Sequence, residues 1–275
     1  MGVATVEVRG HAFRVTSSIH PRSARSVLLV HGIGISHRAF ARLHRELEPF
    51  ASVYSVDLPG FGSLPAPRRS PGVPEMASLL GRAVERALAA AGASGRGTGA
   101  AGREAAGAAG TLIAVGGSMG AQWVVELARQ RPDLVSRLVA IGPVVNDARR
   151  TAAAQGLALL ADTLREPPSA NAIVFGDYLR CGPRWYLRQL RPMLRYRIED
   201  RVAGLPQPLL IVRGGRDPIA PAAWCERLAG RAPVARIADI PGQPHLAQHT
   251  APAAVAREIA RFAGIPGPAA AEPPA

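Results

Sequence analysis

A hydroxyl, an imidazole and a carboxylate stand along this chain in a pattern suited to acyl chemistry: Ser118, His245 and Asp217. A serine hydroxyl is a poor nucleophile until a base takes its proton. That base in turn needs a carboxylate to orient it and to balance the charge it acquires. Ser118 lies in Gly116-Gly117-Ser118-Met119-Gly120, which fits the pattern G-x-S-x-G. The five residues ending in Val115 are apolar or β-branched and read as a strand buried on both faces. After Ala121, Trp123, Val124, Leu127 and Ala128 recur at helical spacing. Ser118 must therefore turn sharply between strand and helix, and side chains at 116 and 120 would collide with each other or with neighbouring strands. The helix N-terminus aims free N–H groups at the same point, where a tetrahedral oxyanion can be held. The plainer alternative is a glycine-rich turn with a surface serine, and only the partners separate the two.

Asp217 follows an apolar strand pattern over residues 208–213, and His245 follows the next strand through the turn Pro241-Gly242. In an open parallel sheet both loops fall at the carboxyl edge, where ligands bind. His249 is the other late histidine, but it falls one turn inside the next segment. The His245–His249 pair has i,i+4 spacing without the adjacent Glu of a zinc helix or a third ligand nearby, so no metal is expected.

The elements that must position these groups alternate along the chain. Residues 5–8 and 12–17 read as a hairpin turning at Arg9-Gly10-His11, and residues 26–30 as a strand leading into His31-Gly32-Ile33-Gly34. Ser36 suits the cap of a helix starting near His37, with Phe40, Leu43, Leu47 and Phe50 on one face. A strand at 53–56 closes on Asp57-Leu58-Pro59-Gly60-Phe61-Gly62, and a proline-marked loop precedes a helix over 75–91. Residues 92–110 are Gly, Ala, Ser and Arg with little to pack, and read as a flexible low-complexity loop. A strand at 138–141 is stopped by Gly142-Pro143. From 146 to 205 the alternation lapses into helical patterns broken at Pro167-Pro168, Gly182-Pro183 and Pro192. A strand at 208–213, a helix at 224–228, a strand at 234–240 and an amphipathic helix at 253–262 follow. The expected organisation is a core of residues 1–145 and 206–265, a helical cap inserted at 146–205 and a disordered tail at 266–275.

Composition narrows the function. The chain has 275 residues, enough for one large core with an insertion. Its net charge of +13 comes entirely from arginine, with no lysine, in a chain also rich in Ala, Gly and Pro. That is a bias of the whole sequence rather than a basic patch. No helix-turn-helix, zinc or RNA-binding signature accompanies it, so no nucleic-acid partner is expected. No apolar run approaches the ~20 residues of a membrane span, and no basic segment followed by an apolar stretch stands in residues 1–10, so neither a membrane span nor a signal peptide is expected. Cys181 and Cys225 make no disulfide framework and read as packing residues, which makes a reduced, cytoplasmic setting the expectation.

Taken together, the motifs at 30–34, 57–62, 116–120, 213–221 and 241–245 make the chain resemble a serine-type α/β-hydrolase with a helical cap, over about residues 3–263. The resemblance implies a mostly parallel α/β sheet with helices on both faces. It implies the chain order Ser118, Asp217, His245 for the catalytic triad. It places the oxyanion donors at the N–H groups of Met119 and Ile33. Asp147 occupies a position that some members use for the acid, while His31 and Asp57 read as loop-fixing residues. In the cap, Arg184, Arg188, Arg191 and Arg195 form a stripe at spacings that Pro192 skews by starting a second helix. Either the stripe is a solvated face, or Arg184 and Arg188 reach the cleft to hold a substrate carboxylate. Trp185 and Tyr178 are candidates to touch substrate while packing the cap on the core.

The expected activity is a carboxylic ester hydrolase taking a small, mainly apolar substrate through an acyl-enzyme, with no cofactor. Four alternatives stay open: a carbon–carbon bond hydrolase of ring-fission products, a thioesterase or acyltransferase, a perhydrolase, and a non-catalytic receptor on the same scaffold.

Overall fold

A computed structural model describes residues 1–94 and 112–268. Eight strands form one sheet: β1 (Gly2–Val8), β2 (His11–Ser18), β3 (Ser26–Val30), β4 (Ser52–Asp57), β5 (Leu112–Gly117), β6 (Val135–Ile141), β7 (Leu209–Gly214) and β8 (Ala235–Ile240). Their order is β1-β2-β4-β3-β5-β6-β7-β8. β2 runs antiparallel to β1 and β4, and the six strands from β4 to β8 are parallel. The expected hairpin is there, with Arg9 and Gly10 both at positive φ so that its two-residue turn matches the strand twist.

The central strands read as unbroken apolar runs because both faces are covered. Alternate residues go to opposite cores: Leu28, Val30, Ala114 and Ile211 to one, Val27, Leu29, Val115 and Val212 to the other. The first face carries α2 (Val73–Ser94), α3 (Gly120–Gln130) and α8 (Ala222–Ala229); the second carries α1 (Ala41–Leu47) and α10 (Pro252–Ala263). From β3 the chain steps to β4 on one side, then returns past β3 to β5 on the other. The crevice beyond the carboxyl ends of β3 and β5 is thus a topological switch point, and the loops carrying Ile33 and Ser118 flank it.

Between β6 and β7 lie α4 (Ala152–Thr163), α5 (Pro168–Cys181), α6 (Pro183–Arg195) and α7 (Ile198–Val202). Pro168 and Pro183 each occupy a first helical turn, so the breaks expected there are element boundaries. Pro192 corrects the reading: it starts no second helix but sits inside α6. Its ring leaves the carbonyl of Arg188 without the usual N–H donor, and the Ser70 hydroxyl donates to that carbonyl instead at 3.1 Å. A loop residue distant in sequence thus replaces the lost helical bond.

Two further differences concern boundaries. Ser36 caps a 3-10 turn, His37–Phe40, that leads into α1. Gly92 to Ser94, expected in the low-complexity loop, complete the last turn of α2; the rest of that loop (95–110) and the tail from 269 lie outside the described residues. Residues 266–268 are described and carry no regular structure. Among the described residues no helix is long and apolar enough to cross a membrane.

Candidate active site

Ser118 stands between β5 and α3 with φ +53°, a left-handed conformation that disfavours any side chain. Its surroundings enforce the bend. A Cβ on Gly116 would lie 2.3 Å from the carbonyl of Gly120, and one on Gly120 would lie 2.2 Å from the carbonyl oxygen of Val30. Both obstacles are backbone and cannot swing away, which is why the motif needs glycine twice. The Ser118 N–H donates to the Ile141 carbonyl at 2.8 Å and fixes the bend against β6.

The carboxylate and the imidazole come from the next two strands. Asp217, just past β7, accepts the N–H groups of Ile219 (2.7 Å) and Ala220 (2.9 Å) on Oδ1. Its Oδ2 accepts Nδ1–H of His245 at 2.8 Å. A Cβ on Gly214, at the end of β7, would stand 2.0 Å from the Pro244 carbonyl oxygen, so glycine there lets the His245 loop pass. Gly142 abuts the pair from β6: a Cβ there would lie 2.7 Å from His245 Cε1 and 3.1 Å from Asp217 Oδ2.

The electrostatics follow from this packing. Burial favours the neutral form of both partners, but each is outweighed by the other. The imidazole, with the carboxyls of Asp162 and Glu166 beside it, holds the Asp217 pKa below the ordinary value and is itself raised to about 9. With Nδ1 committed to Asp217, Nε2 is the nitrogen left to act as base.

Ser118 and His245 line the same cavity of about 170 Å³, enclosed between the sheet edge and the α4–α6 helices. The Ser118 hydroxyl has no hydrogen bond to a described residue; such contacts often tighten only when substrate is bound. The N–H groups of Ile33 and Met119 likewise donate to no described acceptor. Ile33, Gly32 and Ser118 all border the cavity, and a Cβ on Gly32 would touch Ser118 Cβ at 2.9 Å. Of the two unspent donors, Ile33 borders the cavity with Ser118 and Met119 follows Ser118 in the chain.

The sequence model of the alpha/beta hydrolase family matches residues 27–258. The chain belongs to this family. Among solved structures of similar shape, an esterase from Rhodococcus sp. ECU1013 is 17% identical, with 96% of this chain and 99% of that one covered at a TM-score of 0.71. A thermophilic esterase from Thermogutta terrifontis is 19% identical, with 95% and 98% covered at 0.72. A bromoperoxidase from Bacillus anthracis is 16% identical, with 95% and 99% covered at 0.73. At such identities the likeness concerns the fold alone. No curated protein matches the sequence.

Within this alpha/beta hydrolase the rival residues take other posts. Asp147 is half-exposed and bound to Arg227 at 2.6 Å, away from His245. His249 is buried with neither ring nitrogen hydrogen-bonded, and burial lowers its pKa. His31 donates from Nδ1 to the Gly32 carbonyl and accepts the Leu58 N–H on Nε2, neutral because it is buried. Asp57 accepts from the His37 N–H and ring and from Arg14, tying its loop to β2. Both histidine and aspartate serve the loops, as expected from sequence. Cys181 and Cys225 are free and buried, which pushes their thiols up to about 11 and about 12.

The substrate contacts need correction. Tyr178 lines the cavity, but Trp185 does not: it is buried against Gly60 and edge-to-face with Phe61. Arg184 and Arg188 are exposed and line no part of the cavity; Arg188 belongs to a separate surface groove and donates to the Arg68 carbonyl. The reason is the phase of α6, which buries Trp185, Gln189 and Met193 and so turns the arginines outward. The charged groups in the cavity besides His245 are instead Asp162 and Glu166, from the end of α4 and the turn after it. Sequence reasoning missed them. The available signal was thin: they are the only acidic residues between Asp147 and Asp177, one helical turn apart.

Proposed function

We propose that this protein is a serine ester hydrolase for small, mainly apolar and uncharged substrates. One observation carries the reading: a carboxylate-bound imidazole, a strained serine and Ile33, whose backbone N–H is unspent, border a single cavity, and the unspent N–H of Met119 directly follows the serine in the chain. In the reaction, His245 Nε2 takes the Ser118 proton as Oγ attacks the ester carbonyl. The tetrahedral oxyanion is met by the N–H groups of Ile33 and Met119. Collapse breaks the ester bond, and the alcohol leaves with the proton from His245. Water then repeats the sequence: it gives a proton to His245, attacks the acyl-enzyme and returns the serine. Asp217 stays ionised throughout and stabilises the imidazolium.

The cavity supports the substrate class. Its volume is close to that of an engineered site that takes benzene, so a single ring or a short acyl chain fits. In a chain of net charge +13 it contains no arginine, and its two carboxyls repel anionic groups. This weighs against the acidic ring-fission products considered above.

The test is a fluorophosphonate probe with a panel of p-nitrophenyl esters of two to eight carbons. Labelling at Ser118 and turnover of the shorter esters are expected. Ser118→Ala should remove labelling and lower the rate by several orders of magnitude with the fold unchanged. Ligand binding without labelling or turnover would support a receptor instead, and formation of a peracid and water from a carboxylic acid and added hydrogen peroxide would support the perhydrolase.

A further inference from the structure

Two carboxyl groups stand against the loop that carries the base, and the reaction as written uses neither. Asp162 closes α4 and Glu166 lies one turn later, in the link to α5. Asp162 Oδ1 accepts the backbone N–H of His245 at 3.0 Å, and Glu166 Oε1 accepts that of Leu246 at 2.6 Å. Consecutive amides of a core loop are thus gripped by consecutive turns of the helical insertion. The grip is itself braced: Asn171 donates to the carbonyls of Thr163 (2.9 Å) and Glu166 (3.3 Å) and holds the link in shape. Both acids are nearly inaccessible, 3% and 7% exposed, and Glu166 Oε2 has no hydrogen-bond partner among the described residues.

Surface carboxylates are cheap to keep and buried ones are not. Desolvating a carboxyl costs several kcal/mol unless something stabilises its charge. Amide N–H groups alone could be met by a neutral Asn or Gln at far smaller cost. A buried carboxyl pair beside an imidazole has a use that a neutral pair lacks, because it stabilises the imidazolium that forms during each proton transfer.

We propose that Asp162 and Glu166 are positioning residues of the hydrolytic site, a carboxyl clamp by which the helical insertion sets both the place and the basicity of His245. The proposal rests on the ester hydrolase reading and extends it. Three carboxyl groups then surround one imidazole: Asp217 from β7, and Asp162 and Glu166 from the insertion. The groups facing the pair support this. Burial raises the Asp162 pKa, with the Asp217 carboxylate adding to it and His245 and Arg165 opposing. Glu166 rises to about 7 through burial, with Asp162 and Asp217 adding and His245 and the Leu246 N–H opposing. Glu166 is therefore ionised over the range near pH 9 where His245 titrates.

Charge and grip separate by substitution. Asp162→Asn and Glu166→Gln keep an oxygen to accept the amide N–H but remove the charge. Asp162→Ala and Glu166→Ala remove both. All four and the wild-type chain are assayed for kcat and kcat/KM on p-nitrophenyl butyrate from pH 5 to 10, with far-UV circular dichroism to confirm folding. The expected result for the amide variants is an acid limb of kcat/KM moved ~0.5–1 pH unit lower, with the upper plateau within about threefold. The alanine variants should show the same displacement and a plateau kcat lowered ~10-fold or more, because the ring is no longer held in register. A double amide variant that folds and keeps the wild-type limb overturns the clamp's electrostatic part. Alanine variants that keep the wild-type plateau overturn its positioning part. A wild-type chain that neither hydrolyses the ester nor reacts with the fluorophosphonate overturns the ester hydrolase reading itself.

Discussion

Gly142→Ala tests the site through a residue that carries no functional group. Gly142 directly follows β6 with φ +53° and donates its N–H to the Val212 carbonyl at 2.9 Å, so its backbone is held at both the strand end and β7. A methyl group there lies 2.7 Å from His245 Cε1 and 2.8 Å from Nδ1, where ordinary contact begins at 3.4 Å. Something must move by about 0.7 Å. The strand end cannot, being bonded into the sheet, so the displacement falls on the imidazole and its bond to Asp217. Misplacing a reacting group by about this much costs ~10–100-fold in rate. The left-handed backbone costs a further ~1–2 kcal/mol of stability, which for a chain of this length lowers Tm by about 2–8 °C. The assays are kcat on a p-nitrophenyl ester, the rate of fluorophosphonate labelling at Ser118, and thermal melting. We expect a folded protein, modestly less stable, with both rates reduced together. A variant that melts lower yet hydrolyses at the wild-type rate would refute the argument that the His245–Asp217 pair is the working base.

Three further expectations come from the same geometry. His245 at about 9 is mostly protonated at neutral pH, so kcat/KM should rise roughly tenfold per unit from pH 7 towards 9, whereas a flat profile would remove His245 as the base. Stability should run the other way. A histidine raised above 6.5 stabilises fully below that value and loses its contribution as pH rises to about 9; Glu166, raised from 4.5 to about 7, destabilises increasingly over that interval. Asp217, held low, stabilises above 3.8 and loses its contribution as pH falls further, so the denaturant midpoint should be highest at about pH 4.5 and fall from there towards pH 9. Arg184→Ala and Arg188→Ala should leave kcat/KM on neutral esters within about twofold, since neither side chain lines the cavity; a tenfold loss would put an arginine back in the cleft.

The alternation of strands with helices, the glycines around Ser118 and the pairing of a late aspartate with a late histidine were legible in the chain because each depends on neighbours close in sequence. Residues 116 to 120 read as a strand-to-helix bend from the apolar run before them and the helical spacing after them. Asp217 and His245 were legible for a related reason: each directly follows a strand, and every parallel strand delivers its end to the same edge. The continuity of α6 was not legible, because Pro192 is rescued by the hydroxyl of Ser70, more than a hundred residues earlier in the chain. Nor was the lining of the cavity. Which face of α6 turns inward depends on Phe61 and Gly60 meeting Trp185, and that contact sent the arginine stripe outward. Little in the sequence around Asp162 and Glu166 singles them out. Only the fold brings the amides of residues 245 and 246 to them, across some eighty residues of chain. Local sterics fixed the bend that carries Ser118; long-range packing decided what surrounds it.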